Sequence, residues 1–417
     1  MKKPIILQKI PVVSLALALT VSLSLPSFSS AATADLPIDS FLKAQEALTI
    51  ESAPAFISPE LSTDSSRQVR VIVQLDGEPL AVDKYAARSS AKAFTAQSEQ
   101  KAESAIATEQ TTFVDQAAEH GISLQVNYQY NTVLNGLEVT VPANKIPELA
   151  KLPGVKSIHE NKTYYSIPVQ DPPTLTANEA TYDNAPLDQI GVPEAWAKGL
   201  HGEGIKVGVI DTGIDYEHPD LKEAYKGGYD SFEQDNDPYE EPFLEKENDP
   251  YGTGFSGTTH GTHVSGTIAG KAANKSSDIV QKGIAYKSDL YVYKVLGRNT
   301  KTGRSSGSSA QVIDGIERAV KDGMNVINLS LGSDSEKDPN SPDAIAINNA
   351  VLSGVVAVIA NGNAAQDGPY FYSMGSPATS QLAISVGAAT SPSHSYSNKA
   401  SVNLVTYGDA EKPITVT

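Results

Sequence analysis

Cysteine is absent from the 417 residues. Neither a disulfide framework nor a thiol nucleophile is available, so stability outside the cell has to come from packing or bound ions. Basic charge is also scarce: 32 Lys and Arg face 49 Asp and Glu, a formal balance of −17. The shortage is uneven, with 14 basic and 17 acidic residues up to Tyr164 and 18 and 32 beyond it. Such an acidic surface would repel nucleic acid and anionic membranes, and neither is expected as a partner. Long apolar runs are missing too, apart from residues 12–25, which follow Lys2, Lys3 and Lys9 and lead to Ala31, Ala32 and Ala34. Ser14, Ser22 and Ser24 interrupt this run, and it is shorter than the roughly 20 apolar residues of a spanning helix. It reads as a secretory signal peptide over residues 1–34. The expected location is secreted, extracellular or cell wall, with no membrane contact after signal cleavage.

With 40% hydrophobic residues the chain can bury a sizeable core, and its length suits two or three domains. Residues 35–66, rich in Ser, Pro, Ala and acids, read as a poorly ordered lead-in. Residues 67–166 then show a strand at 69–75, a long helix at 91–120, strands at 124–130 and 134–141, a short helix at 143–151 and a strand at 155–160. This βαββαβ order predicts an α+β ferredoxin-like module. A linker with four prolines spans 167–186. From 187 to 400 the pattern changes to continuous apolar strands at 206–210, 290–296, 326–329, 355–360 and 383–386, with helices at 260–269, 310–322 and 343–352. Gly323 and Gly354 close the last two. Strands apolar on both faces predict an α/β fold, a doubly wound parallel sheet whose sites lie beyond the carboxyl ends of the strands.

Asp211 stands at such a strand end, in Val209-Ile210-Asp211-Thr212-Gly213, and His260 opens a helix in His260-Gly261-Thr262-His263. Alone, each has an ordinary explanation, a turn carboxylate and a surface histidine. Together they place a proton acceptor and its carboxylate partner at one end of a sheet, two parts of an Asp/His/Ser acyl-transfer site. The third part, a Ser in a Gly-Thr-Ser-x-Ala context, does not occur in the sequence. Gly307-Ser308-Ser309-Ala310 resembles that context only superficially and is read as a helix N-cap.

These motifs resemble the subtilisin family of serine proteases from about residue 187 to 389, and the module before them resembles that family's inhibitory propeptide. The resemblance implies that Asp211 orients the imidazole and that His260 is the general base. It gives Asn363, in Ala360-Asn361-Gly362-Asn363, the oxyanion role and His263 a structural one. Ser330, Leu331 and Gly332 become the edge that pairs with substrate backbone, and Gly332, Gly362 and Gly375 line a roomy pocket for large apolar or aromatic side chains. The implied partners are protein or peptide substrates and the chain's own propeptide, acting as intramolecular inhibitor and chaperone. Larger secreted members carry an inserted protease-associated domain after the strand at 383–386, with the serine beyond it. Residues 401–417 look like the start of such an insert, so the catalytic domain is expected to be C-terminally incomplete, and the chain alone inactive. The alternative is an inactive product whose propeptide module works as an inhibitor or folding chaperone. No cofactor is expected. Asp220, in His218-Pro219-Asp220-Leu221, matches a family Ca²⁺ ligand, but residues 272–281 depart from the companion loop, leaving Ca²⁺ as a possible structural ion. Nine acids between Tyr229 and Pro250, including Asp235 and Asp237, offer further oxygen donors or simply a solvated loop.

Overall fold

The computed structural model describes residues 55–166, 185–275, 281–299, 305–333, 337–364 and 374–389, with short strands at 402–403 and 415–416. The expected signal peptide, most of the linker and most of 401–417 lie outside the described residues.

The N-terminal module contains β1 (Phe56–Ile57), β2 (Gln68–Leu75), α1 (Leu80–Ser89), α2 (Ala96–Glu119), β3 (Gln125–Tyr130), β4 (Gly136–Pro142), α3 (Ile146–Leu149), β5 (Val155–Glu160) and β6 (Thr163–Ser166). Its sheet runs β1-β5-β2-β4-β3. Without β1 this is the antiparallel order of a ferredoxin-like fold. Two features differ from the expectation. Composition predicts poor order over 35–66, yet Phe56–Ile57 pairs parallel to β5 and the Phe56 ring packs on His159 with centroids 5.4 Å apart. The open edge of β5, the aromatic contact and the packing of Ala55, Ile57 and Leu61 against the module's core together recruit a segment whose composition looks unstructured. The single helix expected at 91–120 is preceded by a separate α1. Ala91, at φ 52°, prevents continuation, and Thr95 restarts the helix by accepting the Ser98 N–H at 3.2 Å.

Alternation along β2 sends its residues to two cores. Val71, Val73 and Leu75 pack with Phe113 and Ala117 of α2 inside the module. Ile72, between them, belongs with Tyr128 and Tyr130 to the core of the following domain. The module's sheet is thus buried on both faces, the second face against that domain.

The larger domain contains α4 (Ala185–Gln189), α5 (Val192–Ala197), β7 (Lys206–Asp211), β8 (Tyr225–Asp230), α6 (His260–Ala269), β9 (Asp289–Lys294), β10 (Gly297–Arg298), β11 (Ser305–Ser308), α7 (Ser309–Lys321), β12 (Val326–Leu329), β13 (Leu331–Gly332), α8 (Pro342–Leu352), β14 (Val356–Ala360) and β15 (Ile384–Val386). Six strands form one parallel sheet in the order β15-β14-β12-β7-β9-β8. Ile210, Tyr293 and Ile327 face α7 and α8, whereas Val209, Leu290 and Val292 face α6. Helices therefore cover both faces, the doubly wound arrangement the apolar strands imply. Strand β8 escapes a sequence reading because Tyr-Lys-Gly-Gly-Tyr-Asp has the composition of a turn. Gly323 and Gly354, at φ 72° and 102°, follow α7 and α8 as helix-terminating residues.

Candidate functional site

Asp211 ends β7 fully buried, and His260 begins α6 with its side chain 12% exposed. His260 Nδ1 and Asp211 Oδ1 are 2.7 Å apart, and the Thr212 N–H donates to the same oxygen at 2.7 Å. Against a carboxylate Nδ1 is the donor, which fixes the tautomer with Nε2 as the basic nitrogen. Two glycines permit the approach. A methyl group on Gly261 would collide with the Gly213 carbonyl, and Gly213, at φ 119°, itself lies under the Pro238 carbonyl. Backbone therefore packs on backbone where α6 meets the turn after β7.

The start of α6 is completed from a distance. Thr259, its N-cap residue, makes no side-chain cap hydrogen bond. Glu240 Oε1 instead accepts the Thr262 N–H at 2.9 Å and the Thr212 hydroxyl at 3.0 Å, and the Thr212 oxygen accepts the Gly261 N–H at 2.9 Å. A buried carboxylate here meets the positive end of the helix. Burial pushes the Glu240 carboxyl above its ordinary range, with hydrogen bonds from Thr258, Thr262 and Thr212 opposing and the Asp211 charge adding. The adjacent Glu241 reaches Lys294 at 3.4 Å and Arg298 at 3.5 Å, and Lys294 also pairs with Asp230 at 2.9 Å. Composition leaves these acids as a solvated loop or cation ligands. No local pattern marks Glu240 as a cap, because Thr212 lies 28 residues before it and Thr262 22 residues after it.

The substrate-edge candidates are occupied by the module's own strand. β6 runs antiparallel between β13, with Leu331 opposite Ser166 and Gly332 opposite Tyr165, and β11, with Gly307 opposite Tyr164 and Ser308 opposite Thr163. The Ser330 hydroxyl accepts from the Asn328 amide at 3.1 Å. Gly332, Gly362 and Gly375 converge: a Cβ on Gly332 would lie 3.4 Å from the Ser376 carbonyl, and one on Gly362 3.9 Å from the Gly375 nitrogen. Asn363 is exposed just after Gly362, whereas Asn361 is tied through its backbone, to Val386 O and from Gly375 N, both at 2.9 Å. His263 is exposed on α6 rather than packed inside. Ser309 is buried, its hydroxyl accepting the Lys162 N–H at 3.1 Å. The residue before it, Ser308, is the N-cap of α7, and Gln311 Oε1 accepts the Ser308 N–H at 2.8 Å to complete a capping box.

Asp220 is not brought to the pair. Its carbonyl accepts the Lys271 N–H at 3.0 Å, beyond the far end of α6 and about 15 Å along the helix from His260. Its Oδ1 accepts backbone N–H groups of Ala273 and Asn274. Asp235 Oδ1 likewise accepts the Asp237 N–H at 2.9 Å. Among the described residues no group of three or more His, Asp or Glu is arranged to hold a metal ion, and no helix is long and apolar enough to cross a membrane.

Between the module and the larger domain, Glu317 of α7 accepts N–H groups of Asn131 and Thr132 at 2.9 Å and of Val133 at 2.8 Å. The Tyr130 hydroxyl donates to Ala310 O at 3.0 Å and the Asn349 amide to Val133 O at 2.8 Å. His159 is buried on β5, and burial, helped by Lys162, pushes its imidazole down to about 4. A ring that stays neutral in the fold but titrates near 6.5 when released contributes fully above that pH and progressively less as pH falls toward 4. Acidification through this window is expected to cost at most about 3 kcal/mol through His159. Melting temperatures measured from pH 7 to 4 should fall less steeply for His159→Leu than for the unsubstituted chain; parallel curves would remove the histidine from the acid response.

A model described as the subtilase family matches residues 202–416, and one described as peptidase inhibitor I9 matches residues 70–166. Minor extracellular protease Vpr of Bacillus subtilis (strain 168) is 38% identical over 354 residues, 83% of this chain and 39% of its own length. Subtilisin E of the same organism is 33% identical over 279 residues, 66% of this chain and 61% of its own length. Fervidolysin from Fervidobacterium pennivorans, a solved keratinolytic enzyme related to subtilisin, aligns with a TM-score of 0.49 and 20% identity over 75% of this chain and 42% of that one. The chain thus spans only part of the length of each relative.

Proposed function

The chain belongs to the subtilase family, and from that premise we propose that it is the propeptide and the Asp/His-bearing part of a secreted serine endopeptidase whose nucleophile is encoded beyond residue 417. The observation that carries this reading is the 2.7 Å contact between His260 Nδ1 and Asp211 Oδ1 at the carboxyl end of a parallel strand. In the proposed reaction the serine oxygen attacks the peptide carbonyl while His260 Nε2 takes its proton. Asp211 holds the Nδ1–H and balances the imidazolium charge, and the Asn363 amide donates to the developing oxyanion. His260 then returns the proton to the leaving amine, and water releases the acyl group by the same route. The leading residues 1–34 support export, and β6 between β11 and β13 supports a second role, in which the N-terminal module blocks the substrate edge of its own domain.

Fluorophosphonate labelling tests the assignment. The 417-residue chain is expected to remain unlabelled, whereas a chain continued through its coding sequence to an in-frame Gly-Thr-Ser-x-Ala is expected to label at that serine. Stoichiometric labelling of the 417-residue chain, at Ser309 or any other serine, would overturn the proposal.

A further inference from the structure

Tyr164 is the one β6 side chain that the larger domain swallows whole. Its neighbours Thr163 and Tyr165 are exposed, yet Tyr164 is completely buried. Its ring joins the cluster that includes Leu331, Ala310 and Ala346. An apolar socket for an aromatic ring would need nothing polar at its base, but this one has a carboxylate. The Tyr164 hydroxyl donates to Asp343 Oδ2 at 2.5 Å, and the Ser376 hydroxyl donates to the same oxygen at 2.7 Å. Asp343 is 1% exposed in the first turn of α8, where the helix end favours an acidic side chain independently of any ligand. Burial, then the nearby Asp343, holds the phenol well above its ordinary pKa, so it remains a neutral donor.

We propose that this socket reads a tyrosine, in preference to phenylalanine, in any polypeptide strand laid between β11 and β13, with Asp343 as the residue that recognises the hydroxyl. The inference rests on the reading of that groove as the substrate edge and deepens it by naming a substrate feature. The selectivity follows from the cost of an unmade bond. A phenylalanine fills nearly the same volume but leaves Asp343 Oδ2 with Ser376 alone in a site closed to water. A buried acceptor left short of a donor loses more than a hydrogen bond gains in solvent, and sites built to bond a hydroxyl therefore discriminate strongly against the analogue lacking it. Smaller side chains would in addition leave a void.

Hydrogen exchange of the amides of residues 163–166 in the full chain reports how firmly β6 is seated. Tyr164→Phe is expected to raise their exchange at least tenfold, and the double variant Tyr164→Phe with Asp343→Leu to return them to within about threefold of the original. Because Asp343→Leu also removes an acid from the first turn of α8, a second measurement leaves the chain unaltered. Synthetic Asn-Lys-Thr-Tyr-Tyr-Ser and its first-Tyr-to-Phe counterpart are added in trans and their displacement of β6 is read from the same amides. The tyrosine peptide should act at a concentration at least ten times lower. Equal potency of the two peptides, or Tyr164→Phe exchange matching the original, overturns the proposal. Neither readout requires turnover: tyrosine preference without hydrolysis by the continued chain would sink the peptidase reading alone, and hydrolysis without tyrosine preference would sink this one alone.

Discussion

His260→Ala in the continued, serine-containing protein is expected to abolish peptide hydrolysis and self-cleavage between the module and the larger domain. In subtilisin, where this deletion is the worked case, loss of the triad histidine costs about 2 × 10⁶ in kcat, and an effect of that order is expected here. Asn363→Ala should reduce kcat by about 10²–10³, the cost of an oxyanion donor in subtilisin again, with little change in KM, because the amide matters chiefly once the carbonyl has become an oxyanion. Asn361→Ala is the control. That residue works through its backbone, held between Val386 and Gly375, and its side chain carries no assigned step. Steady-state kinetics of the three variants decide the matter: equal damage at 361 and 363, or normal self-cleavage without His260, would mean the roles are misassigned.

Glu317→Ala is expected to unseat the N-terminal module from α7 without touching Asp211 or His260. The Glu317 side chain is 2% exposed and also pairs with Lys321 at 2.8 Å. Its removal strips the acceptor from three successive backbone N–H groups in a buried loop. At about 1–3 kcal/mol for each buried donor left unpaired, the loss is on the order of 3–9 kcal/mol. Amides 131–133 should exchange at least about a hundredfold faster, and Glu317→Gln, which keeps one acceptor oxygen, should fall between. Unchanged exchange at these amides would show that the loop is held by Tyr130 and Asn349 instead.

The contrast between Asp211 and Glu240 shows what is legible in the sequence. Asp211 and His260 each sit beside glycines that announce close backbone approach, and each lies at the end of an element whose apolar period is visible locally. The parallel strands are equally readable, since burial on both faces leaves an uninterrupted apolar run. What stays hidden is non-local. Glu240, Glu317 and Asp343 are carboxylates among many in an acidic chain, and only the folded path reveals that each meets donors, on α6, on the module's loop, or at the Tyr164 hydroxyl. Strands β1 and β6 escape a sequence reading because pairing to an existing edge, rather than their own composition, makes them strands.

The cap supplied by Glu240 also bears on the order in which the molecule assembles. A helix with its own N-cap can begin from local residues, but α6 has its start closed by Glu240, 22 residues upstream of Thr262, whose N–H it accepts. The backbone loop between them must be organised before the first turn is satisfied, and contacts across such separations form late because the entropy of chain closure is lost before any contact offsets it. The His260 and Asp211 geometry is accordingly expected to form late in folding. In partial unfolding the reverse holds: opening the segment that carries Glu240 frees the first turn of α6 while the six-stranded sheet stays intact. The 2.7 Å contact between His260 and Asp211 would then be lost well before the core, in a molecule still largely folded.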